Sequence, residues 1–171
     1  TYIYSKQRIV DNFKNLESAF KNVDHLICFA VKANSNLGIL REIKKSNLGA
    51  DVVSGGELIK ALKAGIKPKK IVFSGVGKIA EEIEYAINKN ILLINAESKS
   101  EILEIQKIAK KKKKIVNVGI RLNPNTDAKT LSQISTGKKE NKFGVNDKTF
   151  IELVNYCNNS KNIELKCLSV H

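Results

Sequence analysis

A chain of 171 residues, 42% of them hydrophobic, is long enough for one domain with a real core. No stretch in it approaches the ~18 apolar residues that a membrane-spanning helix needs. The net charge of +13 invites a nucleic-acid reading, but the lysines are spread along the whole chain, and no aromatic residues interleave the densest run, Lys110 to Lys114, which suits a solvated helix C-terminus.

The elements follow in chain order. A helix is expected near Lys6–Lys21. The first strand, Leu26–Ala33, holds the apolar run Ile27-Cys28-Phe29-Ala30-Val31 and is broken by Asn34-Ser35-Asn36. With a period of two, Ile27, Phe29 and Val31 point one way, and Cys28, Ala30 and Lys32 the other. An ammonium among small side chains is costly to desolvate, so the pKa of Lys32 is expected to fall, and such lysines form Schiff bases. The alternative is a strand-end lysine that reaches for water.

Strand-like runs recur at Ala50–Ser54, Ile71–Gly75, Leu92–Ala96, Val116–Asn123 and Leu165–His171. Helix-like stretches lie between them at Leu37–Leu48, Gly56–Ala64, Ala80–Asn88, Ser100–Lys111 and Lys148–Asn158. This alternation implies a parallel sheet with helical crossovers. A doubly wound dinucleotide fold needs a Gly-rich first turn, and Lys32–Asn36 has no glycine. Polar groups instead recur at strand C-terminal ends: Lys32, Ser54, Ser74, Asn95, Arg121 with Asn123, and His171. That is how a (β/α)8 TIM-type barrel builds its site. About six βα units are present, so the barrel is expected to be incomplete. The polar stretch between Pro124 and Val145 interrupts the rhythm and lies at the same face, where it is expected either to cover a ligand or to be a surface insertion.

Cys28, Cys157 and Cys167 are odd in number and widely spaced, which fits reduced thiols and not a disulfide framework or a zinc site. Cys28 sits early in its strand and is expected in the core. No charged-then-apolar leader is visible, so a cytoplasmic setting is expected. The chain opens on Thr1 and is expected to be part of a longer protein.

Five blocks carry a resemblance. Phe29-Ala30-Val31-Lys32-Ala33-Asn34 resembles the Schiff-base lysine motif of the alanine-racemase-like, fold-type III pyridoxal phosphate (PLP) enzymes. Gly49–Leu58, Ile71–Lys78 and Arg121–Asn125 are similar to the second, third and fifth strand blocks of that family. Ile134-Ser135-Thr136-Gly137, followed by Glu140-Asn141-Lys142-Phe143-Gly144, resembles its diaminopimelate decarboxylase branch. The resemblance implies that residues 1–171 are the N-terminal part of a PLP-binding barrel domain. It implies Lys32 as the catalytic, cofactor-bearing residue and His171 as a ring stacked on the pyridine. It implies Arg121 close to the cofactor, with an ion pair across the barrel as the alternative. It implies Asp51 as an active-site acid, and Ser74 and Asn34 as weaker hydrogen-bonding candidates.

The activity so implied is decarboxylation of the small-molecule substrate meso-diaminopimelate to L-lysine and CO2 by a homodimer, with no metal, nucleic acid or membrane involved. Ornithine, arginine and carboxynorspermidine decarboxylases are the neighbouring alternatives. A non-enzymatic PLP-homeostasis barrel shares the lysine but lacks the long polar stretch. The family's Gly-rich phosphate loop, its carboxylate for the pyridine nitrogen and its C-terminal β-domain all lie beyond His171 in family order. The segment alone is therefore expected to bind PLP poorly and to be inactive.

Overall fold

A computed structural model describes residues 1–124 and 143–171. Helix α1 (Lys6–Ala19) starts where the Ser5 hydroxyl accepts the Arg8 amide at 3.2 Å. Five βα repeats and a sixth strand follow among the described residues: β1 (Cys28–Ala30), α2 (Leu37–Lys45), β2 (Gly49–Val52), α3 (Gly55–Lys63), β3 (Ile71–Phe73), α4 (Ala80–Lys89), β4 (Leu93–Ala96), α5 (Lys99–Lys112), β5 (Val116–Arg121), α6 (Asp147–Asn158) and β6 (Ile163–Ser169). The six strands form one parallel sheet in the order β1-β2-β3-β4-β5-β6. A doubly wound sheet reverses direction after its first strands. Here each strand adds beside the one before, as in the wall of a barrel. The expected arc is what the chain forms, with β1 and β6 as its edges among the described residues.

Strand alternation divides the sheet into two faces. Ala50, Val52, Ile71, Phe73, Ile94, Ala96, Val118 and Ile120 are fully buried. They pack with the apolar stripes of the helices, among them Leu40, Ile43, Leu58, Ile83, Ile102 and Ile105. Each such side chain contributes about 1.5–3 kcal/mol of burial. The alternate positions, including Asp51, Asn95, Gly119 and Arg121, are left for the concave face. No helix among the described residues is long and apolar enough to cross a membrane.

Two strands differ from the expected limits. β1 ends at Ala30, and Val31–Ala33 form a 3-10 turn. Val31 is fully buried, but Lys32 stands exposed. The desolvation inferred from strand alternation is therefore not present, because the chain leaves the sheet just before the lysine. β6 runs Ile163–Ser169, two residues earlier than expected, and its register with β5 shifts between Val118 and Gly119. After the shift Gly119 pairs with Cys167 and Arg121 with Ser169, which keeps these side chains on one face.

The lysine run behaves as a helix end. Lys110, Lys111 and Lys112 fill the last turn of α5. Lys112 pairs with Glu84 at 2.5 Å, and the Lys114 ammonium donates to the Ile87 carbonyl at 3.0 Å and to Asn90 Oδ1 at 2.8 Å. These cations close the negative end of α4.

The start of β2 has no room for a side chain. A Cβ on Gly49 would lie 2.4 Å from the Lys70 carbonyl oxygen and 2.7 Å from the Cys28 sulfur. Gly49→Ala is expected to lower stability by about 1–3 kcal/mol or more. Urea denaturation of the full-length protein checks this, and an unchanged midpoint would show that β2 and β3 are free to separate.

Candidate functional site

The strands deliver their polar residues to one cavity of about 700 Å³ at the C-terminal edge of the sheet. Lys32 reaches it from the turn after β1, Asp51 from β2, Ser74 from just beyond β3, Asn95 and Glu97 from β4 and its end, and Arg121 from the last position of β5. Ser169 and His171 border it from β6 and beyond. Phe143 adds an aromatic wall. Five of the polar strand-end residues expected from sequence, Lys32, Ser74, Asn95, Arg121 and His171, thus meet in one place.

Two others act locally. The Ser54 hydroxyl accepts the Glu57 amide at 3.2 Å and caps α3. Asn34 Oδ1 accepts the Asn36 amide at 3.0 Å and shapes the entry to α2. The stretch from Ile134 to Lys142, including most of the polar motif, lies outside the described residues. Its C-terminal flank is held firmly: the Val145 amide donates to the Arg121 carbonyl, and the Asn123 amide donates to the Val145 carbonyl, each at 2.8 Å.

Asp51 accepts a hydrogen bond from the Ser74 hydroxyl at 2.6 Å. Burial pushes its carboxyl above the usual range, and the Ser74 hydrogen bond and the charges of Lys32 and Lys78 only partly oppose this. Cys28, expected in the core, is half-buried. Burial, aided by the Asp51 charge, pushes its thiol up to about 11.

Arg121 is ion-paired within the cavity, with a partner at the end of the neighbouring strand β4 and not across the barrel. Its Nη1 donates to both oxygens of Glu97 at 3.0 Å, and its guanidinium lies 5.5 Å from the centre of the Phe143 ring. Glu97 is only 4% exposed and also accepts the Gly75 amide at 3.1 Å. Across β5, Asn95 Nδ2 donates to the Ser169 hydroxyl at 2.8 Å. The path runs over Gly119, where a Cβ would lie 2.7 Å from Asn95 Oδ1 and 3.1 Å from the Cys167 Cβ. Asn95 Oδ1 is buried without a hydrogen-bond partner among the described residues.

Sequence reading missed Glu97, Lys78 and the acidic residues that open three helices. Glu57 accepts the Val53 amide at 2.8 Å, Glu82 the Gly55 amide at 2.6 Å, and Glu101 the Glu97 amide at 3.0 Å. The spacings Ser54–Glu57 and Ser98–Glu101 are the Ser-x-x-Glu signature that marks such helix starts, and they carried the missing signal. Carboxylates therefore occupy the N-termini of α3, α4 and α5, the sites where an anion would otherwise bind.

A consecutively wound parallel βα wall, with Lys32 just after its first strand and His171 just after its sixth, has the architecture of a barrel-type domain. The comparisons make this specific. The pyridoxal binding domain of the pyridoxal-dependent decarboxylases matches residues 6–171, and the chain belongs to that family. It is 51% identical to the diaminopimelate decarboxylase of Helicobacter pylori strain J99 over 170 residues, covering 99% of this chain and 42% of the relative. It is 41% identical to that of Neisseria meningitidis serogroup B over 170 residues, covering 99% of this chain and 41% of the relative. The crystal structure of diaminopimelate decarboxylase from Helicobacter pylori complexed with L-lysine superposes with a TM-score of 0.97 at 49% identity, covering 98% of this chain and 43% of that one. The chain thus spans about two-fifths of the length of the relatives it matches.

The raised Asp51 carboxyl makes stability depend on pH. An acid whose pKa is higher folded than unfolded adds no penalty below its ordinary value of 3.8, and it destabilises the fold as pH rises through the folded value. Asp51→Asn is therefore expected to raise the urea midpoint at neutral pH, with the gain shrinking as pH falls towards 4 and below. A gain that is equal at all pH values, or a loss at neutral pH, would contradict the desolvated carboxyl.

Proposed function

We propose that this chain is the N-terminal part of a PLP-binding barrel domain, that Lys32 carries the cofactor, and that the full-length protein decarboxylates meso-diaminopimelate to L-lysine and CO2. The observation that carries the reading is the single cavity that gathers Lys32, Asp51, Ser74, Arg121 and His171 from separate strands. The family match to a pyridoxal binding domain supports PLP as the group bound there. The near-complete overlay on a decarboxylase complexed with L-lysine supports the product.

The residues present fit the reactive end of PLP. The exposed Lys32 amine stands at the cavity mouth, where it can bond to an aldehyde carbon. The His171 ring borders the same cavity and can lie along a flat heterocycle. Asp51, with its raised affinity for a proton, can hold one beside Lys32. Glu97 offsets the Arg121 charge, so the cavity wall presents a fixed dipole and not a bare cation. PLP, when bound, supplies an electron sink for the carbanion left at the substrate α-carbon.

The phosphate end finds less. The helix starts of α3, α4 and α5 already hold Glu57, Glu82 and Glu101, so a dianion gains nothing there. This supports a phosphate grip, and a substrate grip, on parts of the full-length protein outside this chain. The same family reading carries a homodimer in the cytoplasm.

The test is the full-length protein incubated with PLP and meso-diaminopimelate, with product analysis. Lysine formation is expected, abolished by Lys32→Ala along with the cofactor's Schiff-base absorbance, and absent from the isolated 171-residue segment. A diamine product from ornithine or arginine, with no lysine, would overturn the substrate assignment. Full activity in Lys32→Ala would overturn the site.

A further inference from the structure

Behind the Glu97–Arg121 pair of the cavity wall, two further charges that the cofactor reading does not use, Lys78 and Glu101, extend it into a buried line of four. The Lys78 side chain is fully buried. Its ammonium donates to the Gly75 carbonyl, to the Asn95 carbonyl at 2.9 Å and to Glu101 at 2.5 Å, and it lies 5.6 Å from the centre of the Phe73 ring. Its three donors thus have three acceptors. The second Glu101 oxygen accepts the Glu97 amide, and Glu97 grips both the Gly75 amide and Arg121. Lysine, glutamate, glutamate and arginine thus run from the helix layer to the cavity, with no net charge.

We infer that Lys78 and Glu101 are positioning residues that hold Arg121 in the cavity by fixing Glu97 and the Gly75 turn. The inference rests on the cavity being the PLP site. Neither residue borders the cavity. Both ends of Gly75 are tied into the line, its carbonyl to Lys78 and its amide to Glu97. Gly75 has φ of 92°, a left-handed conformation that glycine adopts without a Cβ penalty. Glu97 is held through its own amide and through its carboxylate, which fixes where the Arg121 guanidinium can sit. Loss of the Lys78 ammonium leaves Glu97 and Glu101 competing for one guanidinium and leaves two buried carbonyls without a donor. A buried ion line is rarely the cheapest way to gain stability, because apolar residues of equal volume often do as well. A device that fixes a functional cation explains why the charge is there.

The test uses the full-length enzyme with Lys78→Met, and with Glu101→Gln as a near-isosteric variant that keeps the fold if the first does not. Each is also made in an Arg121→Gln background. PLP affinity is read by absorbance titration of the apoenzyme, and kcat from lysine release. Each single variant is expected to weaken PLP binding and lower kcat on the order of tenfold. In the Arg121→Gln background the same changes are expected to add less than about twofold, because coupled residues do not act additively. Effects that multiply regardless of Arg121, or a lower urea midpoint with unchanged PLP affinity and kcat, would overturn the inference. If the wild-type enzyme releases no lysine, the activity reading fails on its own assay. The apo crystal structure of either variant still decides the inference: Arg121 leaving Glu97 supports it, and an unmoved pair overturns it.

Discussion

The wall of this site depends on one buried carboxylate. Glu97 sits at the end of β4, almost without solvent, and serves three structures at once. Its carboxylate accepts the amide of the turn after β3 and the guanidinium at the end of β5, and its own backbone amide donates to Glu101 in the first turn of α5. A charge in such a place is tolerable only because every oxygen has a donor. The register of three neighbouring strands and the starting point of one helix therefore meet at a single residue. The cavity inherits its shape from that meeting.

Much of this was legible in the chain. Apolar runs such as Ile71-Val72-Phe73, and helices with apolar residues at three- and four-residue spacing, gave the alternation, and the lack of glycine in Lys32–Asn36 pointed away from a dinucleotide fold. Lys32, Ser74, Asn95, Arg121 and His171 were visible because each ends a recognisable run. Three features were not legible. The 3-10 turn at Val31–Ala33 follows a run that reads as uninterrupted strand, so the burial of Lys32 was overestimated. The shift between β5 and β6 depends on pairing across strands, which periodicity within one strand does not encode. Glu97 and Lys78 look like ordinary surface charges in sequence, and only the packing of α4 and α5 on the sheet removes them from water.

The acidic residues at the helix starts explain a division of labour. In many parallel βα proteins the helix N-termini at the strand C-terminal edge bind the phosphate of a ligand. Here the backbone amides at these starts are turned inward onto Glu57, Glu82 and Glu101. The gain is a rigid rim, since Glu57 and Glu101 each tie a loop to the helix that follows it, and Glu82 ties the start of α3 to α4. The consequence is that these backbone amides already have carboxylate partners within the chain.

The pairing of Asn123 and Arg121 with Val145 has a wider meaning. It joins the end of β5 directly to the lead-in of α6, so the two stay adjacent whatever the intervening residues do. Arg121 and Phe143, one on each side of that pairing, therefore take their places in the cavity from the strand–helix junction itself, and the 5.5 Å between the guanidinium and the centre of the ring is set by the wall.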